Sequence, residues 1–365
     1  MYLYTLKRIL LIIPTLFFIM LVNFLIIQTA PGGPVERLIA SLNHPDQLKN
    51  EVAVTNEINY SNLGSQSIQT ALKYRGSQGM DPELIAKIEK LYGFDQPLMT
   101  RFFIMIKKYL VFDFGESFYQ NKKVVDLVLE KMPVSISLGA WTTLLIYLIS
   151  IPLGIKKAVN DGSKFDIWTS AVIIIGYAIP SFLFAILLIV LFAGGNFFDL
   201  FPLRGLVSSN FSELAWYQKI TDYLWHMCLP ILSMVIGGFA SLTFLCKNSF
   251  IEEINKQYVT AARAKGLTEN QILYKHIFRN AMLIIIAGFP AVLIGILFTG
   301  AMLIEIIFSL DGLGLLGFES AISRDYPVVF GTLYFFTLLG LITAIIGDLT
   351  YRLVDPRIDF ENRKL

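Results

Sequence analysis

A chain of 365 residues that is 55% hydrophobic, with a mean hydropathy of +0.61, is too apolar to be a soluble globular domain of that size. Its formal net charge of +2 is close to balance, and its basic residues follow a pattern that membrane topology explains, so nothing argues for a nucleic-acid partner. The three histidines, His44, His226 and His276, fall on both sides of the expected membrane and exclude a histidine metal site.

A helix needs about 20 apolar residues to cross a bilayer. Six stretches qualify: 9–29, 134–155, 167–193, 229–246, 283–306 and 327–348. Backbone polar groups in lipid must be satisfied within their own segment, so the expected fold is an all-α polytopic membrane protein with six transmembrane helices. The first span follows Lys7 and Arg8. Gln28 would occupy the −3 position of a cleavage after Ala30, which makes this an uncleaved signal anchor. The chain then divides into an N-terminal transmembrane helix (1–30), a long insert expected on the outer side (31–133) and a five-helix core (134–365).

The insert changes character along its length. Residues 42–79 are rich in Asn, Gln, Ser and Gly without a sustained period, as in an irregular excursion. Asp81-Pro82 then reads as an N-cap followed by proline at the first helical position, with Leu84, Ile85, Ile88 and Leu91 on one face. Pro97 opens another helix, with Phe102, Phe103, Ile106 and Leu110 as its apolar side, and 122–132 leads amphipathically into the second span. Further on, the outer loop 194–228 carries Phe197, Phe198, Phe201, Trp216, Tyr217, Tyr223 and Trp225. Two readings stay open for these aromatics: anchors in the membrane interface, or a rim that contacts substrate or a delivery protein.

Between the fourth and fifth spans lies a polar, basic loop, 247–282. Its run from Gln257 to Lys265 is rich in helix-forming Ala, Arg and Lys, and Gly266 stands where a C′ glycine would end that helix. Thr268 and Gln271 have the spacing of a capping box, which starts a second helix bearing Ile272, Leu273, Ile277 and Phe278. A rigid two-helix elbow in a membrane protein's loop is built to be presented to something.

Lys and Arg in the short loops set the orientation. With the N-terminus inside, fifteen face the cytoplasm, among them Lys156, Lys157, Lys164, Lys247, Lys256, Arg263, Lys265, Lys275 and Arg279, against Arg204, Lys219 and Arg324 outside. Both termini are therefore expected in the cytoplasm. Glycines 237, 238, 288, 295 and 300 read first as close helix packing and second as pore lining; Asn23 likewise packs or faces the path. Cys228 and Cys246, near opposite ends of one predicted helix and about 27 Å apart, cannot pair.

No phosphate-cradling G-x-x-x-x-G-K-[ST] run occurs, nor G-x-S-x-G, nor His-Glu-x-x-His. Glu305 and Asp348 are the acids inside the spans, each near an end, whereas an ion-coupled carrier keeps ionisable groups near the midplane. The chain therefore reads as a conduit without catalytic, cofactor or metal residues of its own, driven by an external motor. An ion-coupled secondary carrier is the alternative.

Thr260-Ala261-Ala262, three residues and Gly266 resemble the EAA…G loop of ATP-binding-cassette importer permeases, with Thr260 in place of the family's opening Glu. His276 followed by Arg279-Asn280-Ala281 is similar to the peptide-importing branch. So are Ala30-Pro31-Gly32-Gly33-Pro34, Tyr92-Gly93-Phe94-Asp95-Gln96-Pro97, Asp113-Phe114-Gly115-Glu116-Ser117, Ile151-Pro152-Leu153-Gly154, Ile179-Pro180-Ser181-Phe182 and Asp355-Pro356-Arg357-Ile358, in that order. The long insert and Phe201-Pro202-Leu203-Arg204-Gly205-Leu206 most resemble microcin C/peptide-importing permeases of Gram-negative inner membranes. The resemblance implies a type I importer permease fold working by alternating access in the bacterial inner membrane. It implies as partners a second homologous permease, two ATPase subunits that bind ATP-Mg, a periplasmic peptide-binding protein and a peptide substrate. It also implies an ATPase-coupling role for loop 258–281, carried by Thr260, Ala261, Ala262, Arg263, Lys265, Gly266, Arg279 and Asn280.

Overall fold

The computed structural model describes residues 2–29, 95–120, 122–195, 197–295 and 302–354. The expected irregular stretch 42–79 and the helix after Pro82 lie outside these residues, as do Gly300 and the Asp355-Pro356-Arg357-Ile358 motif. Twelve α-helices are found among the described residues: α1 (Tyr2–Thr29), α2 (Leu98–Tyr109), α3 (Val124–Val159), α4 (Lys164–Ala178), α5 (Ser181–Phe192), α6 (Trp216–Ile254), α7 (Gln257–Ala264), α8 (Glu269–Ile272), α9 (Phe278–Gly295), α10 (Met302–Phe308), α11 (Leu313–Ser323) and α12 (Tyr326–Val354). Five helical segments are long and apolar enough to span a bilayer, and a sixth is obtained by counting α4 and α5 as one broken span.

That broken span departs from the straight segment expected over 167–193. Its two halves meet at 93°. Proline disfavours helical backbone in the residue before it, and Ile179 is extended at φ −87° and ψ 119°, so α4 stops there and Pro180 caps α5. The spans also outrun the apolar windows. α6 has 39 residues, about 58 Å of helix, because hydropathy registers the lipid-facing stretch and not the polar turns on either side. The second span begins at Val124, so the boundary placed at 133/134 falls inside one helix.

Two compact units emerge. The first comprises the described residues of 1–8, 131–315 and 339–365. In it α4, α5 and α9 pack on α6, around Leu138, Ile146, Met227, Leu242, Cys246 and Phe250. A close crossing joins α3 to α6: a Cβ on Gly154 would lie 2.6 Å from Cys246 Cβ and 2.9 Å from the Thr243 carbonyl oxygen. Only glycine permits that approach. Gly238 packs similarly, since a Cβ there would meet Ile146 Cδ1 at 2.5 Å, whereas Gly288 has open space. Cys228 and Cys246 are free thiols on α6.

The second unit comprises the described residues of 9–130 and 316–338. Phe102 on α2 packs against Phe17 and Phe24 of α1, and Phe114 against Tyr109, Tyr334 and Phe335. Asn23 donates to the Ile19 carbonyl of its own helix at 2.9 Å. Large apolar side chains remain exposed on both units, among them Leu11 and Phe18 on α1 and Trp168 and Ile175 on α4, as expected where lipid or another apolar helix covers a surface.

Candidate functional site

The polar elbow starts from one buried carboxylate. Glu253, in the last turn of α6, accepts a hydrogen bond from Tyr258 Oη at 2.7 Å, pairs with Lys256, and is also bonded by the Asn280 side chain at the start of α9. Ser249 Oγ donates to the Ala281 carbonyl at 2.7 Å. The end of α6, the start of α7 and the first turn of α9 are thereby tied at one point. Burial, and then the Glu253 carboxylate beside it, push the Tyr258 hydroxyl up to about 12, so it remains a donor at physiological pH.

From that base α7 runs for eight residues with two distinct faces. Val259 and Ala262 are buried and join the core with Ile272 and Ile277. Thr260, Ala261, Arg263, Ala264 and Lys265 are exposed. The helix closes as a Schellman motif: Leu267 N donates to Ala262 O and Gly266 N to Arg263 O, with Gly266 at φ +81°. Thr268 and Gln271 then form the reciprocal capping box that their spacing predicts. Across the turn, Arg263 Nε and Nη2 donate to the two oxygens of Glu269 at 2.7 and 3.1 Å, a fork that braces one helix against the other.

The second elbow helix is not separate from the long helix that follows it. α8, a π-helical turn (Leu273–Ile277) and α9 follow one another without a break. The polar excursion off the two long helices is therefore shorter than 247–282, since α6 ends at Ile254 and α8 starts at Glu269. Of the residues singled out in the sequence, Thr260, Ala261, Arg263, Lys265 and Gly266 share the exposed turn. Ala262 faces inward, Arg279 is exposed on the first turn of α9, and Asn280 serves the Glu253 tie at the elbow's base. Glu269, though exposed, is the residue that holds Arg263.

A charged cluster that counting basic residues for topology had passed over lies beside this base. Lys157 of α3 is fully buried. Its Nζ contacts Asp166 Oδ1 at 2.9 Å and donates to the Asp166 carbonyl, Thr169 Oγ1 and Ser170 Oγ at 2.9, 2.8 and 2.7 Å. Lys247 Nζ reaches Asp166 Oδ2 at 2.7 Å and Asp161 Oδ1 at 2.8 Å. The signal available in the sequence was the pair of acids, Asp161 and Asp166, in a short loop flanked by lysines.

Both acids noted inside the spans are engaged. Asp348 pairs with Arg8 at 3.1 Å. Glu305 is fully buried, accepting from Ser135 Oγ at 2.7 Å and Leu315 N at 2.8 Å, while Ser135 Oγ accepts from Leu313 N. In the second unit, Ser117 of the Asp113–Ser117 motif donates through Oγ to Asp325 Oδ2, and Phe118 N donates to Oδ1 at 3.2 Å. Burial pushes the Asp325 carboxyl above the usual carboxylate range. Among the described residues no cluster of His, Cys, Asp or Glu has the makings of a metal site.

The model of the family described as "Binding-protein-dependent transport system inner membrane component" matches residues 150–360. The chain is 59% identical to the inner membrane ABC transporter permease protein YejB of Escherichia coli O157:H7, over 99% of both chains. It is 58% identical to the peptidoglycan transport system permease protein YejB of Agrobacterium fabrum, again over 99% of both. The oligopeptide transport system permease protein OppB of Haemophilus influenzae is 29% identical over 97% of this chain and 98% of its own. Among solved structures, the inward-facing MetNI methionine ABC transporter is similar at a TM-score of 0.47 and 18% identity, over 63% of this chain and 97% of that one.

Proposed function

The chain belongs to the family of binding-protein-dependent transport system inner-membrane components, and from that premise we propose that it is a peptide-conducting permease subunit of an ATP-driven importer. The observation that carries this reading is the elbow. It is a short exposed helix ended by a glycine at φ +81°, braced by the Arg263–Glu269 fork and anchored through Glu253 to two long helices. Such a body moves as a unit when pushed and delivers the push to α6 and α9. Thr260, Ala261, Arg263, Lys265 and Gly266 form the surface offered to an ATPase, and small residues there let another backbone approach closely. Arg279 borders that surface, while Ala262 and Asn280 hold it in shape.

ATP-Mg is bound and hydrolysed by partner subunits, and this chain contributes no catalytic group. The full assembly contains a second homologous permease, two ATPase subunits or domains, and a periplasmic binding protein that delivers cargo. Both termini lie in the cytoplasm. Peptide cargo is supported by the names of the relatives, which specify peptidoglycan and oligopeptide transport. Microcin C-like peptide–nucleotides are included in the proposed range on the sequence resemblance.

The test is uptake in a deletion strain complemented with this gene. Labelled tri- and tetrapeptides, a peptidoglycan-derived muropeptide and a microcin C-like peptide–nucleotide are offered in turn. Complementation should restore energy-dependent uptake of at least one, and the purified subunit should bring ATPases with it. Uptake that persists when ATP is depleted but the ion gradient is kept would overturn the ATP-driven reading.

A further inference from the structure

We infer that Asp166 is a positioning residue for transport: it joins α3 and α4 to α6 just before the elbow, so that displacement of the elbow is carried into α3 and α4. The inference rests on the coupling role proposed for the elbow. Asp166 is nearly fully buried, and each of its carboxylate oxygens meets a different helix. Oδ1 contacts Lys157 of α3 and Oδ2 contacts Lys247 of α6, while Gly162 N also donates to Oδ2 at 3.2 Å. Ser163 Oγ caps Asp166 N, which fixes the start of α4.

The route to the elbow is short. Lys247 and Glu253 lie less than two turns apart on α6, and Glu253 holds Tyr258 and Asn280 of the elbow's base. Beside Lys247, Cys246 packs against Gly154 of α3 with no room for a Cβ, so α3 and α6 cannot slip past each other locally. A rigid stretch of helix with a charged clasp at each end is a physical means of transmission. The arrangement is also costly. Lys157 has its ammonium wholly out of water and gives up hydration that a surface lysine would keep, which topology alone does not require.

The measured quantity is peptide uptake per ATP hydrolysed, in proteoliposomes holding the complete transporter with its binding protein and labelled tri- and tetrapeptides. Two variants are compared with the wild type. Asp166→Asn leaves Lys157 without a counter-charge; Asp166→Asn/Lys157→Met removes both buried charges and relieves that penalty. In both, ATP hydrolysis should continue while uptake per ATP falls by roughly twofold to thirtyfold, the span of coupling changes produced along transmission networks. Asp166→Glu, which keeps the charge, should recover part of the ratio. If the double variant is abundant and transports with the wild-type ratio, the hub only stabilises the fold and the inference is overturned. Loss of the double variant from the membrane would equally make the hub a folding element. A wild-type complex that hydrolyses no ATP on cargo delivery would instead remove the functional reading itself.

Discussion

Gly266 combines a backbone requirement with an empty surroundings. At φ +81° a side chain carries a strain of about 1–2 kcal/mol, yet a Cβ would meet nothing within 4 Å. Gly266→Asp should therefore leave the permease inserted and near normal abundance while abolishing uptake, because the carboxylate would be desolvated against the ATPase surface. Uptake with copurification of the ATPases is the measurement, and normal transport by this variant would reduce the elbow to a connector. Glu269→Ala should weaken coupling mildly by releasing Arg263, an exposed pair that salt screens. Asp325 offers a pH test. Its folded pKa is raised, so its contribution to stability is complete below the unfolded value of about 3.9 and is lost as pH rises through the higher folded value. Asp325→Asn keeps an acceptor for Ser117 and removes the titration. Between pH 4 and 8 the thermal midpoint of the purified wild type should fall relative to that of Asp325→Asn, and parallel profiles would contradict the assignment.

At the scale of elements, one contact decides how two long helices meet. The α3–α6 crossing depends on Gly154, whose added Cβ would strike a backbone carbonyl as well as Cys246. Carbonyls cannot rotate aside as a side-chain tip can. Gly154→Val should destabilise the first unit by about 1–3 kcal/mol or more, the usual cost of overpacking. Membrane abundance and the thermal midpoint report it, with Gly288→Ala, which faces open space, as the comparison expected to be near wild type. The Gly266 turn, the capping box and the helix after Pro97 were all legible beforehand, since each is set by residues within one or two turns. The bend at Pro180 was written in Ile179-Pro180-Ser181 yet hidden by a hydropathy window that averages across it. How far α6 runs beyond its apolar stretch was equally hidden, because helix length in water follows capping and packing.

For the molecule as a whole, the expected topology rests on the excess of Lys and Arg in loops such as 156–164 and 247–282. A reporter fused after Leu365 or within 156–164 should read cytoplasmic, and one within 45–75 periplasmic. A periplasmic reading at the C-terminus would refute the orientation and place the elbow on the wrong side for any ATPase. The expected inner position of the elbow also bears on the hub: Lys157 and Lys247 count toward orientation as positive charges, although both are paired with Asp166. One residue can serve both ends because insertion is decided before the bundle packs.

What the sequence determined by itself is whatever depends on local chemistry or on transfer to lipid. Apolar runs long enough to span a bilayer imply helices, Gly266 and Thr268 imply an elbow, and the ordered motifs imply the permease family. What only the tertiary structure decided is which distant groups share a buried site. Lys157 and Lys247 are ninety residues apart, and Ser117 and Asp325 are separated by 208, yet each pair meets at one carboxylate or one clasp. No period or spacing encodes such meetings. They arise because a charge taken out of water must find its partner wherever packing brings one, and packing is a property of the assembled helices.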